Sequence, residues 1–496
     1  MKWKGIVSGV GTVMLIFPVS LVLPFIVGLL YKESFLGLLS WYILPGLLCL
    51  SVGSFMAAWA GRADRTLRDL RPVEALIIVA ITWVLVALIG SFPYILTGTL
   101  RFFPDAFFES MSGFTTTGAS VISDIDGQSH SILFWRALTQ WIGGLGVIVL
   151  MVAIFSILLG GPKAGLLLMK GEVPGHKNDR FVPRIKDTAK FLWMIYGILT
   201  IIETVLLMVA GLSLYDAICH TFTTLSTGGF GTHTESIAAY NGYDTSLLIQ
   251  FIFVVFMIFG SVNFVLHYNF MKGNWKAYFK DTEFKVYMGL LVLFWCIVGI
   301  DVAVNMKGQY SPGQALWASI FNVTSIISTT GYATEDFGQW PALSRFIMII
   351  LMLMGGMTGS TSGAIKTARF IIAFKAVRRS MKRIGHPRSK IPLRIGNVVF
   401  SERIVRSVGV FIFGYLSIFL LGSFMMTLTG LDVVSSLSAI ATTMGGVGPG
   451  LNVIGPAQNF AEISVVGKLL LCFFMWLGRL ELITGLILFF PSSYRS

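Results

Sequence analysis

The stretch Ser112–Ser120 reads SGFTTTGAS and lies between two long apolar runs of the chain. Five of its nine residues carry a hydroxyl group and two are glycines. Irregular polar backbone at membrane depth is tolerated only where protein buries it or where it lines a water-filled cavity. The stretch therefore needs a structural reason for its place in the chain.

The composition is that of a polytopic membrane protein. Of 496 residues, 55% are hydrophobic and only 12% are charged, whereas a soluble chain averages about 25% charged residues. About 20 apolar residues span a hydrocarbon core, so the apolar runs predict ten membrane spans. They lie near residues 6–30, 36–60, 72–97, 131–159, 188–211, 245–271, 284–306, 341–371, 401–429 and 462–490.

The net charge of +13 is distributed unevenly between the two sides of the predicted membrane. Lys and Arg concentrate in alternate loops, above all in the segment 375–406, and cationic loops stay in the cytoplasm. Both termini are then predicted to be cytoplasmic. Because topology explains the basic charge, nucleic-acid binding is not expected. The segment 375–406 could also dock on anionic lipid or on a protein partner. The opposite loops carry acids, including Asp105, Glu109 and Asp126.

The opening stretch has three relatives further along the chain. They are TTLSTGGFGT around Gly228, SIISTTGYAT around Gly331 and AIATTMGGVG around Gly445. Each of the four stretches follows a short apolar run that cannot span a bilayer, and three of these four runs begin near an acid. Those acids are Asp105, Asp216 and Asp432. The repeating unit is a helix, a half-helix, a Thr/Gly loop and a second helix.

Four such units around one axis predict an all-α polytopic fold with a single central pore and an additional N-terminal helix pair. The expected boundaries are 1–70 for the helix pair, then 71–160, 185–272, 283–378 and 400–496 for repeats one to four. The third repeat is expected to have a broken second helix.

The loops are predicted to bind a monovalent cation. Carbonyl and hydroxyl oxygens can replace the hydration shell of such an ion, and glycine permits the backbone turns that aim carbonyls inward. Met444 offers only a weak thioether, so selectivity is expected to be moderate. The predicted ligands are Thr116, Thr117, Gly118, Ser226, Thr227, Gly228, Thr329, Thr330, Gly331, Thr443, Met444 and Gly445.

Further motifs resemble the TrkH-type potassium transporters, a superfamily that includes KtrB and the fungal Trk proteins. They are LTQWIGGLG at 138–146, NFVLHY at 263–268, GGMTGSTSGAIKTAR at 355–369 and MWLGRLE at 475–481. The resemblance implies uptake of K⁺ across the bacterial inner membrane, with K⁺ bound in the filter and no organic cofactor. It also implies a homodimer in membrane lipid, with one pore per subunit and a cytosolic TrkA-type nucleotide-binding ring.

Two features are predicted to gate the pore. The run MLMGGMTGSTSGAIK at 352–366 includes Gly355, Gly356 and Gly359 and ends at Lys366. Because glycine costs about 1 kcal/mol inside a helix, this run predicts a break in the helix. The resemblance favours the interpretation that the broken segment is a flexible loop under the filter that obstructs the pore. Close helix packing through small residues is the alternative. By the resemblance, Arg479 in the GRLE motif lies at the gate, with Lys366 as a second candidate.

The sequence indicates no enzyme. GGVGPG at 445–450 is not a dinucleotide-binding motif, and no glycine run ends in the Lys-Ser/Thr pair of a phosphate-binding loop. Two transport mechanisms remain. One is a channel-like pathway driven by membrane potential, and the other is a K⁺ symporter coupled to H⁺ or Na⁺. Symporters commonly show paired inverted repeats, so four parallel re-entrant units favour the first.

Overall fold

The computed structural model describes residues 3–61, 72–158, 185–386, 391–396 and 398–486. These residues are predominantly helical, as the predicted all-α class requires. One short antiparallel hairpin, Leu393–Ile395 with Val398–Phe400, follows the basic end of helix Thr367–Gly385.

The N-terminal pair consists of two interrupted spans. The first comprises Trp3–Ile16 and Pro18–Leu30, and the second runs from Phe35 to Ala60 through a π-turn at Leu39–Ile43. The two spans approach each other closely at Gly11, where an added Cβ would lie 3.2 Å from the Gly53 carbonyl oxygen. The Glu33 carboxylate accepts the Ser131 backbone N–H at 3.0 Å, which joins this pair to the helix that begins at His130.

Four short helices alternate with the other apolar helices, in the order that the sequence predicts. These half-helices 1 to 4 are Phe103–Phe114, Leu214–Leu225, Pro312–Ile327 and Val433–Gly445. The helices before them are Pro72–Gly90 with Phe92–Leu96, Ile185–Val209, Thr282–Asn305 and Glu402–Thr427. The helices after them begin with His130–Leu158, Ser246–Ser261, Ala342–Leu353 and Val465–Arg479. Shorter helices are Phe264–Met271, Lys276–Lys280 and Ile483–Leu486. Loops 1 to 4 are the connections 115–129, 226–245, 328–341 and 446–464.

Side chains cap the first turns of half-helices 2, 3 and 4. Ser213 accepts the Asp216 N–H, and Asp432 accepts the N–H groups of Val434 and Ser435. Ser311 and Gln314 form a capping box. Such caps satisfy free N–H groups. At about 1.5 Å per residue, the longest half-helix, with 16 residues, is shorter than a bilayer core of about 30 Å.

Within the described ranges, six helices are long and apolar enough to span a membrane, and the bent pair Ser246–Ser261 and Phe264–Met271 would be a seventh. The predicted span over 245–271 is not one straight helix, because the chain bends by 105° between Ser246–Ser261 and Phe264–Met271. The Asn263 side chain starts a new helix by accepting the Val265 N–H. The predicted break in 341–371 is confirmed by an irregular segment from 354 to 366.

Candidate functional site

The half-helices end in one shared conformation. The residue that follows each helical C-cap, or the C-cap itself in half-helix 4, is left-handed: Thr116, Thr227, Thr329 and Gly446, with φ between 52° and 67°. The next N–H bonds back five residues at 2.8–2.9 Å, in the pairs Thr117 to Ser112, Gly228 to Thr223, Thr330 to Ser325 and Val447 to Thr442. This is the Schellman closure. A β-branched residue with positive φ is an outlier, and three repeats accept it at the same position.

A glycine with positive φ follows two residues after the left-handed residue in every loop. The four glycines are Gly118, Gly229, Gly331 and Gly448, with φ of 84°, 78°, 83° and 102°. The shared sequence of conformations aligns the four loops residue by residue. It places 116–118, 227–229, 329–331 and 446–448 at equivalent positions.

This alignment of backbone conformations differs from the predicted residue set in two loops. The predicted set was one residue early in loop 2, where Gly229 and not Gly228 has the positive φ. It was three residues early in loop 4. Thr443, Met444 and Gly445 belong to half-helix 4, while Ser226 is the C-cap of half-helix 2. Adjacent glycines occur in both loops, and the sequence alone does not show which glycine takes the turn.

The aligned glycines form a closed ring. In each loop, a Cβ on the glycine would come against the carbonyl oxygen of the residue before the glycine in the next loop. The four pairs are Gly118 with Gly228, Gly229 with Thr330, Gly331 with Val447 and Gly448 with Thr117. The fourth pair leads back to the first loop, so the loops surround one axis in chain order. Only glycine fits at these four places.

A cavity of about 150 Å³ opens above this ring. All four ring glycines line it, together with residues that follow them in the loops. At its rim, His233 of loop 2 lies 2.7 Å from Asp126 of loop 1, and the Thr234 N–H donates to the same carboxylate at 3.0 Å. Burial acts to raise the pKa of Asp126, but the hydrogen bonds from Thr234 and His233 outweigh it and lower the pKa to about 2. Asp126 therefore remains ionised.

Beneath the ring lies the irregular segment 354–366, the intramembrane loop. The Thr361 hydroxyl is 2.9 Å from the carbonyl oxygens of both Leu225 and Gly260. The Gly363 N–H donates to the Thr329 hydroxyl at 2.8 Å, and a Cβ on Gly363 would overlap the Gly445 carbonyl oxygen. The loop is thus held against half-helices 2 and 4 and against loop 3.

The sequence left open whether the predicted gate glycines break the helix or allow close helix packing, and the structure shows both features. These glycines lie in a true helix break, and they also permit close packing. Gly355 faces the Gly363 carbonyl, Gly356 faces Ser261, and Gly359 has a φ of 82° beside Asn263. Lys366 is buried at the end of the loop and donates to the Ser362 carbonyl oxygen.

Arg479 ends the helix Val465–Arg479 and is buried under the ring. Its guanidinium donates to the carbonyl oxygens of Thr361 at 3.1 Å and Gly143 at 3.2 Å. Among the described residues it has no carboxylate within ion-pair distance. As expected, it does not pair with Glu481, which instead bonds Arg369.

Several functional candidates were missed in the sequence. Glu109 was grouped with the acids of the outer loops, but it is fully buried in an ion pair with Arg136, at 2.9 Å. The sequence signal for this ion pair was Arg136, which lies within a predicted apolar span. Charged residues in such spans usually face the protein interior or water. The buried imidazoles of His220 and His267 are bonded by Tyr240 at 2.9 Å and by Tyr278 at 2.7 Å, respectively.

A single chain that places four re-entrant half-helices around one ring within an apolar helical protein defines a multi-pass membrane transport protein. Residues 54–495 match the family model TrkH, described as a cation transport protein. The chain belongs to the TrkH family, which is a transport family and not an enzyme family.

Individual relatives agree with this assignment. The chain is 34% identical to the Trk system potassium uptake protein TrkH of Escherichia coli K12, over the full length of both. It is 33% identical to TrkG of the same organism, over 98% of this chain and 97% of the relative. The crystal structure of the potassium transporter TrkH from Vibrio parahaemolyticus matches all of both chains with a TM-score of 0.88 and 33% identity.

Proposed function

We propose that this chain is a potassium uptake protein with a selective, gated, channel-like pathway, driven by membrane potential across the bacterial inner membrane. The observation that carries the proposal is the closed ring in which each loop glycine abuts a carbonyl oxygen of the next loop. The full-length relatives are named potassium uptake proteins, and we take K⁺ as the transported ion from these names. The chain itself supplies a site built from backbone oxygens.

The filter is assigned to residues 116–118, 227–229, 329–331 and 446–448. Their carbonyl oxygens replace the hydration shell of K⁺, and the C-terminal ends of four half-helices add partial negative charge. The residue before the glycine is Thr117 or Thr330 in loops 1 and 3, but Gly228 or Val447 in loops 2 and 4. Hydroxyl groups are therefore not shared by all loops at this level, which favours one main ring of carbonyls and moderate selectivity over Na⁺.

The gate is assigned to the intramembrane loop and Arg479. The loop is fastened to the inner ends of the filter elements, and the guanidinium is bonded to the loop. A cation that leaves the ring toward the cytoplasm would meet both. Movement of the loop would open the path and carry away the Thr361 carbonyl that helps to hold Arg479. Lys366, at the end of the loop, adds a second positive charge.

Membrane potential is a sufficient driving force in this proposal. It supplies about 2.3 kcal/mol per elementary charge per 100 mV, which corresponds to roughly fifty-fold accumulation. Coupling to H⁺ or Na⁺ is the alternative, and the experiment below distinguishes the two.

The remaining assignments concern the assembly. The four-repeat division with its N-terminal helix pair, cytoplasmic termini, a homodimer and a cytosolic TrkA-type ring are part of the proposal. The basic helix Thr367–Gly385 and the hairpin after it continue directly from the intramembrane loop. A partner bound there would be mechanically connected to the gate.

The test is cation flux into liposomes that contain the purified full chain. An imposed potential drives flux, with K⁺, Rb⁺ or Na⁺ outside and no second ion gradient. We expect K⁺ and Rb⁺ flux to exceed Na⁺ flux, and this preference to be lost in Gly331→Ser, whose side chain would collide with the Val447 carbonyl. Flux that requires a proton or sodium gradient would indicate symport. Equal K⁺ and Na⁺ flux in the unaltered chain would contradict a selective filter.

A further inference from the structure

A buried ion pair lies directly behind the ring. Glu109 of half-helix 1 and Arg136 of the helix His130–Leu158 are joined by a 2.9 Å contact between Oε1 and Nε, and their side chains are 0% and 1% exposed. Neither residue is among the ring positions described above. A buried ion pair is weak support for stability, because desolvation opposes its attraction, and conformational specificity is a better-attested use.

The pair holds loop 1 just beyond its glycine. Glu109 accepts hydrogen bonds from the Ser120 hydroxyl at 3.0 Å and the Val121 N–H at 2.9 Å. Arg136 donates to the same Ser120 hydroxyl through Nη2 at 3.2 Å. Both members of the ion pair therefore converge on the backbone that leaves Gly118.

The same helix also holds loop 2 on both sides of its glycine. Arg136 donates through Nη1 to the Gly231 carbonyl at 3.0 Å, and its guanidinium lies 4.1 Å from the centre of the Phe230 ring. One turn further, Gln140 donates to the Gly228 carbonyl at 2.8 Å and accepts the Phe230 N–H at 3.1 Å. Gln140 thus contacts a ring carbonyl directly.

The arrangement in loop 1 has counterparts in the other repeats. A polar side chain of each half-helix bonds the third residue after the ring glycine, at 2.9–3.2 Å. The pairs are Glu109 with Val121, His220 with Thr232, Asn322 with Thr334 and Ser438 with Leu451. Glu109 is the acidic member of this set, and its partner Arg136 extends the brace to the next loop.

We propose that Glu109, Arg136 and Gln140 are positioning residues that determine the preference for K⁺ over Na⁺. This inference rests on the proposed potassium function. The three side chains fix loops 1 and 2 at a set separation, and these loops supply half of the closed ring. If the brace is lost, the ring oxygens relax toward a smaller ion, and the discrimination between K⁺ and Na⁺ decreases.

The experiment compares the ratio of Rb⁺ to Na⁺ flux in liposomes for the full chain and three variants: Glu109→Gln, Arg136→Lys and Gln140→Met. We expect the ratio to fall by about tenfold in each, which corresponds to about 1.4 kcal/mol of relative ion binding, while total cation flux persists. Misfolding would reduce the flux of both ions together and leave the ratio unchanged, so the ratio separates positioning from a merely structural role.

Asp105→Asn is the matched control. Asp105 also belongs to half-helix 1 and forms a 2.6 Å ion pair with Lys468, but its carboxylate does not bond loop 1. The ratio of Rb⁺ to Na⁺ flux in Asp105→Asn should equal that of the unaltered chain. Gln140→Met alters neither member of the ion pair and tests the inference if Glu109→Gln and Arg136→Lys do not fold. Unchanged ratios in the folded variants would overturn the inference, whereas an unselective unaltered chain would instead contradict the proposed function.

Discussion

The Arg479 guanidinium donates a 3.1 Å hydrogen bond to the Thr361 carbonyl oxygen, at the point where the intramembrane loop passes beneath the ring. The contact joins the last described full helix of the fourth repeat to the broken helix of the third. Because no carboxylate neutralises Arg479 among the described residues, its positive charge would act on a cation in the proposed pathway.

Replacing Arg479 with methionine should raise K⁺ flux in the absence of any activating partner by more than about tenfold. The substitution removes both bonds to the loop, and two like charges about 4 Å apart repel by about 4 kcal/mol at an effective dielectric constant of 20. Potential-driven flux in liposomes measures the effect. Arg378→Met, at an exposed position of the helix Thr367–Gly385, should leave flux unchanged. Unaltered flux in Arg479→Met would remove Arg479 from the gate.

Thr361→Val should loosen the intramembrane loop without changing its volume. The hydroxyl at 2.9 Å from two carbonyl oxygens is lost, and a hydrogen bond contributes about 0.5–1.5 kcal/mol net. We expect K⁺ flux without an activating partner to rise several-fold. Thr204→Val is the control, because the Thr204 hydroxyl bonds only within its own helix, to the Thr200 carbonyl. Equal flux in both variants would mean that this attachment does not restrain the gate.

Gly229→Ala should abolish ion selectivity. The alanine would have to adopt the unfavourable φ of 78°, and its Cβ would also overlap the Thr330 carbonyl. Gly273→Ala separates these effects, because Gly273 has a φ of 84° with no atom within 4 Å of an added Cβ. Its conformational strain alone costs about 1–2 kcal/mol, so it should lower the melting temperature and retain selectivity. Selective flux in Gly229→Ala would contradict the alignment of the loops.

The contact between loops 1 and 2 at Asp126 should be insensitive to mild acid. The pKa of this carboxyl in the folded chain is about 2, below the ordinary value of about 3.9. The stabilisation that the ionised Asp126 carboxylate gives the folded chain is therefore complete at pH values above its ordinary pKa. This stabilisation disappears as the pH falls through about 2.

The measurement compares the melting temperatures of two chains, one with Asp126 intact and one that carries Asp126→Asn. Both also carry His233→Gln, which removes the neighbouring titratable group while Thr234 still donates to the carboxylate of the intact chain. The difference in melting temperature should be the same at pH 5 and pH 8. A difference that shrinks toward pH 5 would show that the carboxyl is not held ionised.

The sequence predicted the helical class and the half-helix repeat because both depend on local patterns. Long apolar runs specify membrane helices, and short runs that end in Thr and Gly specify re-entrant loops. The break at 354–366 was also predictable, since four glycines disfavour a continuous helix.

The alignment of two loops was not predictable in the same way. Gly228 and Gly229 are chemically identical, and the turn falls on Gly229 because the Schellman bond joins the Gly228 N–H to the Thr223 carbonyl. Contacts between distant segments were equally hidden. Glu109 resembles the acids of the outer loops until the fold brings Arg136, 27 positions away, to its side.

The ring also has a genetic consequence. In a pore made from four copies of one chain, a single codon change alters all four sides at once. Here each side is encoded separately, so a substitution at Thr117, Gly228, Thr330 or Val447 changes one side while three stay intact. Selection can therefore adjust ion preference in small steps, and the present mixture of threonine, glycine and valine at this level is a combination that a symmetric tetramer could not encode.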